Sequence, residues 1–197
     1  MSSHYVSQSP IPHFWGFTPH TQITMHDHTF KRISAIKPGD YVIDPDKYHM
    51  HDEKPNSFRV ISIIRYEADS NVDVIRFGQT GLTIFYPIRT EKDNFENWVR
   101  ANSLSDGQAD STRVLYNLVL DTGHQIHLYD SRMSACTMAH QFEGPVVSHS
   151  YFGKKVPGRP HCLIDLGTDE YINCENLKQS NDPLDVKGEF IKLTRYY

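Results

Sequence analysis

Histidine is the side chain through which this sequence most visibly offers chemistry, with 12 in 197 residues. Neutral imidazole ligates metals, and its pKa near neutrality suits proton transfer. Three pairs are closely spaced: His26 with His28, His49 with His51, and His124 with His127. On a strand, residues i and i+2 face the same way, so the first two pairs could each present two imidazoles to one ion. If the two loops met, they would form a four-histidine site, so a His-rich metal-binding protein is one expectation. Local context favours a plainer one. His26-Asp27-His28 falls where a turn is expected, and His49 and His51 sit in a charged loop, so exposed histidines suffice. Thiols are available at Cys136, Cys162 and Cys174, an odd number without a CxxC pair. Reduced cysteines and a cytoplasmic location are therefore expected. There is no P-loop, dinucleotide fingerprint or serine elbow, and no cofactor is expected.

The framework holding these side chains has the pattern of strands. Residues 21–25 alternate, with Gln22 and Thr24 on one face and Ile23 and Met25 on the other; 26–28 turn, and 30–36 resume the alternation. Lys37-Pro38-Gly39-Asp40 makes a second turn, followed by a short strand over 41–43. Residues 58–66 (FRVISIIRY) are rich in β-branched and aromatic types and predict a strand, as do 72–77 and 82–89. Pro87 marks the last of these as an edge or a bend. A short element is predicted over 98–104 and a polar loop over 105–112. The apolar run 114–120 (VLYNLVL) predicts a buried strand, turned by Asp121-Thr122-Gly123 into a hairpin with 124–129. Further strands are predicted at 136–138 and, late in the chain, at 189–196. No helical period is sustained. The fold class is mostly β: a compact fold of many short strands that hides its edges by self-packing.

Bulk properties exclude several partners. The net charge of −4 and pI near 6.3 give no electrostatic case for nucleic acid or an anionic membrane. Hydrophobic residues make up 38% and mean hydropathy is −0.54, and no apolar run approaches the roughly 20 residues of a spanning helix. The N-terminus lacks a basic segment followed by an apolar core, so no secretory signal is expected.

The order of the motifs narrows the fold. Thr21-x-Ile23, Lys31-x-Ile33 and Ile36-Lys37-Pro38-Gly39-Asp40-Tyr41-Val42 resemble the first segment of a Hint domain, the self-processing module of hedgehog proteins and inteins. Gly81-Leu82-Thr83-x-x-Tyr86-Pro87-Ile88-Arg89, followed by Trp98, resembles its middle segment. Leu115-Tyr116-Asn117-Leu118-Val119-Leu120-Asp121-x-Gly123-His124 resembles its final hairpin. Cys136-Thr137-Met138-Ala139-His140-x-Phe142, then Pro145-Val146-Val147-x-His149-x-Tyr151-Phe152-Gly153, is similar to the eukaryotic branch found with von Willebrand factor A domains, the Vint domain. The resemblance runs from about residue 16 to 166. The polar start of the chain, with Pro10 and Pro12, reads as a flexible arm over 1–13; the resemblance implies a Hint/Vint-like domain over 14–166; and the residues beyond it, 167–197, are expected as a C-terminal extension packing on the domain.

In such a domain the first residue, normally Cys or Ser, attacks the peptide carbonyl just before it. The resemblance puts Gly16 at that place, and glycine has no side chain with which to attack. The middle segment normally carries a Thr and, three residues on, a His that engages the scissile amide. Thr83 holds the first place and Tyr86 the second, and tyrosine, with a pKa of about 10, is a poor proton shuttle at neutral pH. The remaining family-equivalent positions are His124, Cys136 and His140, with Cys136 and His140 the best reactive pair. His140 is followed by Gln141 where inteins carry Asn. Each also has a structural use: Thr83 as a strand residue, His124 as a turn cap, Cys136 as a small buried hydrophobe. The expectation is a degenerate Hint domain without self-splicing, a structural or protein-interaction module for an unknown protein partner. The alternative is an active or formerly active autoprocessing domain.

Overall fold

The computed structural model describes residues 15–47, 57–91, 97–148, 150–152, 154–155, 163–165, 171–173 and 184–187. The expected arm at 1–13, His49, His51, Cys162, Cys174 and the late strand at 189–196 lie outside the described residues, as does most of 167–197. Strands and single 3₁₀ turns make up the regular structure of the described residues, with no α-helix among them. No helix among these residues is long and apolar enough to cross a membrane.

In chain order the strands are β1 (Gln22–Thr24), β2 (Phe30–Arg32), β3 (Tyr41–Ile43), β4 (Ser57–Phe77), β5 (Thr80–Thr83), β6 (Pro87–Thr90) and β7 (Val99–Arg100). They continue with β8 (Gln108–Leu120), β9 (Gln125–Leu128), β10 (Met133–Cys136), β11 (Lys154–Lys155), β12 (Leu163–Asp165), β13 (Tyr171–Asn173) and β14 (Leu184–Lys187). One six-stranded sheet runs β2-β1-β9-β10-β6-β7. A second is built on β4, which pairs with β3, β5, β8 and, in parallel, β14. β11, β12 and β13 form a small third sheet. Side chains from both large sheets, among them Phe17, Ile23, Val60, Leu82, Ile88, Leu118, Ile126 and Leu128, share one buried apolar cluster.

The turn at Lys37 closes as its residue types dictate. Asp40 N–H donates to the Lys37 carbonyl at 3.0 Å, and Gly39 takes φ +97°, a conformation that a side chain would strain. β3 then pairs with the start of β4, Tyr41 opposite Arg59.

Several elements differ from the sequence expectation, each for a physical reason. The strands expected at 58–66 and 72–77 are one strand, β4, of 21 residues. The polar stretch between them is a bulge, where β4 shifts register against β8 between Glu67 and Val72, and Arg113 Nε donates to the Ala68 carbonyl at 3.3 Å. The loop expected at 105–112 ends at Gln108, where β8 begins. Its first residues are polar because that half of the ribbon is exposed, not because it is irregular. The strand expected at 82–89 breaks into β5 and β6. Pro87 opens β6, a strand position where its missing N–H costs no ladder bond, and β6 lies inside its sheet between β10 and β7. The expected hairpin between 114–120 and 124–129 does not form. β8 is committed to β4 down to Val60–Leu120, and Arg59 N–H ties the turn to that sheet through Asp121 Oδ1 at 3.0 Å. β9 therefore crosses to the other sheet and pairs with β1 and β10. The strand expected at 136–138 lies earlier, as β10; Met138 only bridges Val119.

Candidate functional site

Residues 15–18 enter the fold as a wedge between β8 and β5. Phe17 bridges Tyr116 on one side and Leu82 on the other. Its N–H and C=O both pair with Tyr116 at 2.8 Å, Thr18 N–H donates to the Gly81 carbonyl at 2.8 Å, and Thr83 N–H donates to the Gly16 carbonyl at 3.0 Å. The Thr21 hydroxyl extends the seam, donating to the Gly81 carbonyl at 2.8 Å and accepting the Gly81 N–H at 3.0 Å.

This insertion takes the peptide joining Trp15 to Gly16 out of water, so both of its polar atoms need partners inside. Gly16 N–H donates to Thr83 Oγ1 at 3.3 Å. Asn117 Nδ2 donates to the Trp15 carbonyl oxygen at 3.4 Å. Asn117 is itself held, since its Oδ1 accepts the Leu118 N–H at 2.9 Å and the Tyr86 hydroxyl at 3.2 Å. The Tyr86 hydroxyl also lies 3.0 Å from the Cys136 carbonyl oxygen. Burial, and then its neighbours Cys136 and Tyr151, push the Tyr86 phenol well above its ordinary range, so it stays a neutral donor. Tyr151 completes the group. Its ring is partly buried and its hydroxyl turns inward, where burial raises it to about 12 and hydrogen bonds to the Asn117 side chain and the Trp15 backbone oppose the rise.

Gly16 is glycine because β8 leaves no room for more. A Cβ at this position would stand 2.8 Å from the Tyr116 carbonyl oxygen and 3.0 Å from the Leu115 Cβ. The first of these is backbone in a paired strand and cannot swing aside.

The other predicted residues lie around this peptide. Cys136 is fully buried on β10, and burial raises its thiol well above the usual cysteine range. The cation that favours its thiolate is Arg89 rather than His140. His140, 4% exposed, accepts the Phe142 N–H on Nδ1 at 3.2 Å, which places the proton of the neutral ring on Nε2. That Nε2 is buried without a hydrogen-bond partner among the described residues. Burial, and then the neighbouring His124, lower the His140 pKa to about 4. His124 joins through its carbonyl, which accepts the Thr137 N–H at 2.8 Å, and it adopts φ +50° at the turn. The structure thus sets Thr83 directly on the peptide at Gly16 and links Tyr86 and the Cys136 carbonyl to it through Asn117, while His140 reaches Trp15 only through the Phe152 ring and His124 lies beside His140.

The sequence did not single out Asn117, Tyr151 or Trp15. A lone amide inside VLYNLVL was the available signal, because a buried polar side chain implies a partner. Of the histidine pairs, His49 with His51 lies outside the described residues. His26 and His28 sit in a turn, not on a strand, with His28 at φ +63°. Among the described residues no group of three or more His, Cys, Asp or Glu is placed to hold an ion.

A family model described as a Hint-domain, Vint, matches residues 16–188. The chain belongs to the Hint-domain family. Members of this family carry out autocatalytic cleavage or splicing. The match begins at Gly16 and continues past Leu166. Among solved structures, the chain is similar to the bacterial intein-like domain from Clostridium thermocellum. The two are 18% identical over 62% of this chain and 98% of that one, with a TM-score of 0.45. It is also similar to a DnaB intein from Synechocystis sp. PCC 6803, at 15% identity over 64% of this chain and 100% of that one, with a TM-score of 0.43. No curated protein matches. In this Hint domain the two atoms of the Trp15 to Gly16 peptide that an acyl shift would charge and release each have a partner. Asn117 faces the oxygen on which negative charge would develop, and Thr83 faces the nitrogen that would leave.

Proposed function

We propose that this Hint domain keeps the autoprocessing framework but leaves its own junction uncut, and that it serves as a structural or protein-interaction module. The observation that carries this is at Gly16. An N-to-S or N-to-O shift needs a side-chain nucleophile on the residue after the scissile carbonyl, and glycine supplies none. The close approach of Tyr116 supports the same view, since it leaves no volume from which a larger residue could attack. The buried thiol of Cys136 and the neutral, acid-shifted His140 lack the activated nucleophile and base that covalent catalysis requires. The partner is proposed to be another protein, and the three cysteines suggest a reducing, cytoplasmic setting.

A second reading, descent from an active processing domain, draws on the clamp itself. A donor on the Trp15 carbonyl and an acceptor on the Gly16 amide are what a cleaving site would keep after losing only its nucleophile. Intact-mass measurement of the purified full chain, with and without excess small-molecule thiol, tests the proposal. The 22.8 kDa species should persist in both samples. Accumulation of a fragment that begins at Gly16 would overturn it.

A further inference from the structure

The residue before the junction has a pocket of its own, built by a segment that the acyl-shift chemistry does not use. The 3₁₀ turn Ser150–Phe152 is fastened at its end, where the Phe152 carbonyl accepts the Ala139 N–H at 2.6 Å. From there Phe152, fully buried, meets the rings of Trp15, Tyr86, His140 and its neighbour Tyr151. It stands edge-on to Trp15 at 5.3 Å and 71°, edge-on to Tyr86 at 5.5 Å and 86°, and tilted to His140 at 4.9 Å. Tyr151 lies 6.3 Å from Trp15 on another side and is edge-on to Phe152 at 5.5 Å. Trp15 is 5% exposed within this enclosure. The hydroxyl of the same Tyr151 bonds to the Trp15 backbone and to the Asn117 side chain, so one turn touches both the side chain and the main chain of the residue before Gly16.

We infer that the Ser150–Phe152 turn is a specificity cap whose Tyr151 and Phe152 form an aromatic-selective subsite for the residue preceding Gly16, filled in this chain by Trp15. This rests on the reading of the Trp15 to Gly16 peptide as the Hint junction. Selectivity follows from ring geometry. Edge-to-face contact sets the positive rim of one ring over the negative face of another, and an aliphatic side chain of similar volume fills the space without that attraction. The subsite positions rather than reacts. By holding Trp15 it keeps the peptide against Thr83 and Asn117, and losing it should loosen that segment while the rest of the sheet stays closed.

Amide hydrogen exchange on the full chain, resolved at residues 16–18 and at Tyr41–Ile43, tests this. Trp15→Phe should keep exchange at residues 16–18 within about threefold of the parent, whereas Trp15→Leu should speed it about tenfold without change at the distant strand. Phe152→Leu should reproduce the loss with Trp15 present. Equal exchange in Trp15→Phe and Trp15→Leu would overturn aromatic selectivity. If Trp15→Leu loses protection throughout, the milder pair Tyr151→Phe and Tyr151→Leu decides. Tyr151→Phe keeps the ring and should be the less perturbed at residues 16–18, and equality of the two would overturn the cap. Intact mass of each sample separates the two readings. A cut chain counts against the uncut junction, whereas an uncut chain with equal exchange counts against the cap alone.

Discussion

The Gly16 amide nitrogen donates to the Thr83 hydroxyl across 3.3 Å, although 67 residues separate the two. The bond exists because residues 15–18 lie between β8 and β5, where a peptide N–H has no water to turn to. It makes Thr83 a structural requirement whether or not any bond is ever cut.

Thr83→Val keeps the shape and removes the acceptor, leaving a buried N–H unpaired. The expected loss is about 1–3 kcal/mol in urea unfolding, with Thr83→Ser close to the parent. Equal stability of the valine variant would show that the amide finds another partner.

Asn117 offers a sharper probe because its two ends do opposite things. Asn117→Asp replaces the donor that faces the Trp15 carbonyl with an acceptor and buries a charge. At neutral pH it should cost about 3 kcal/mol or more, with part of the loss recovered as the pH is lowered and the carboxyl protonates. A loss that grows on acidification would contradict the assigned contact.

His140 makes stability depend on acid. Its pKa falls from 6.5 to about 4 on folding, so between these values the unfolded chain binds the extra proton and the folded chain does not. The contribution is complete above pH 6.5 and declines as the pH falls toward 4, by at most about 3 kcal/mol. Comparing urea midpoints at pH 7 and pH 4.5 for the parent and His140→Phe checks this, and the variant should show the shallower decline.

Cys136 should resist alkylation in the native chain, because burial both hides the thiol and disfavours its thiolate. Peptide mapping after iodoacetamide treatment should find Cys136 modified only when denaturant is present. Rapid native labelling would mean that β10 opens.

Much of this architecture was legible from local chemistry. Lys37-Pro38-Gly39-Asp40 announced its turn, and the β-branched run from Phe58 announced β4. The order of motifs pointed to the family and to Gly16, Thr83 and Tyr86. What escaped was decided by pairing between distant residues. The polar residues from Gln108 look like a loop until β4 is seen beside them. Asp121-Thr122-Gly123 looks like a hairpin turn until Arg59 is seen holding it to the other sheet. Tyr151 and Phe152 entered only as part of a family motif, because nothing near them in sequence reveals that Trp15 is their partner. The crowding at Gly16 is likewise invisible in one dimension, since it comes from the backbone of Tyr116.

That crowding is the most direct point at which to test the account. Gly16→Cys restores the missing thiol but sets its Cβ 2.8 Å from the Tyr116 carbonyl oxygen. The variant should fold with a lowered melting temperature, by the equivalent of about 1–3 kcal/mol, and its folded fraction should remain a single uncut species by intact mass under excess thiol. Cleavage of the folded variant between Trp15 and residue 16 would contradict the account, showing that only the nucleophile had been lost and that the site around it was still open for chemistry.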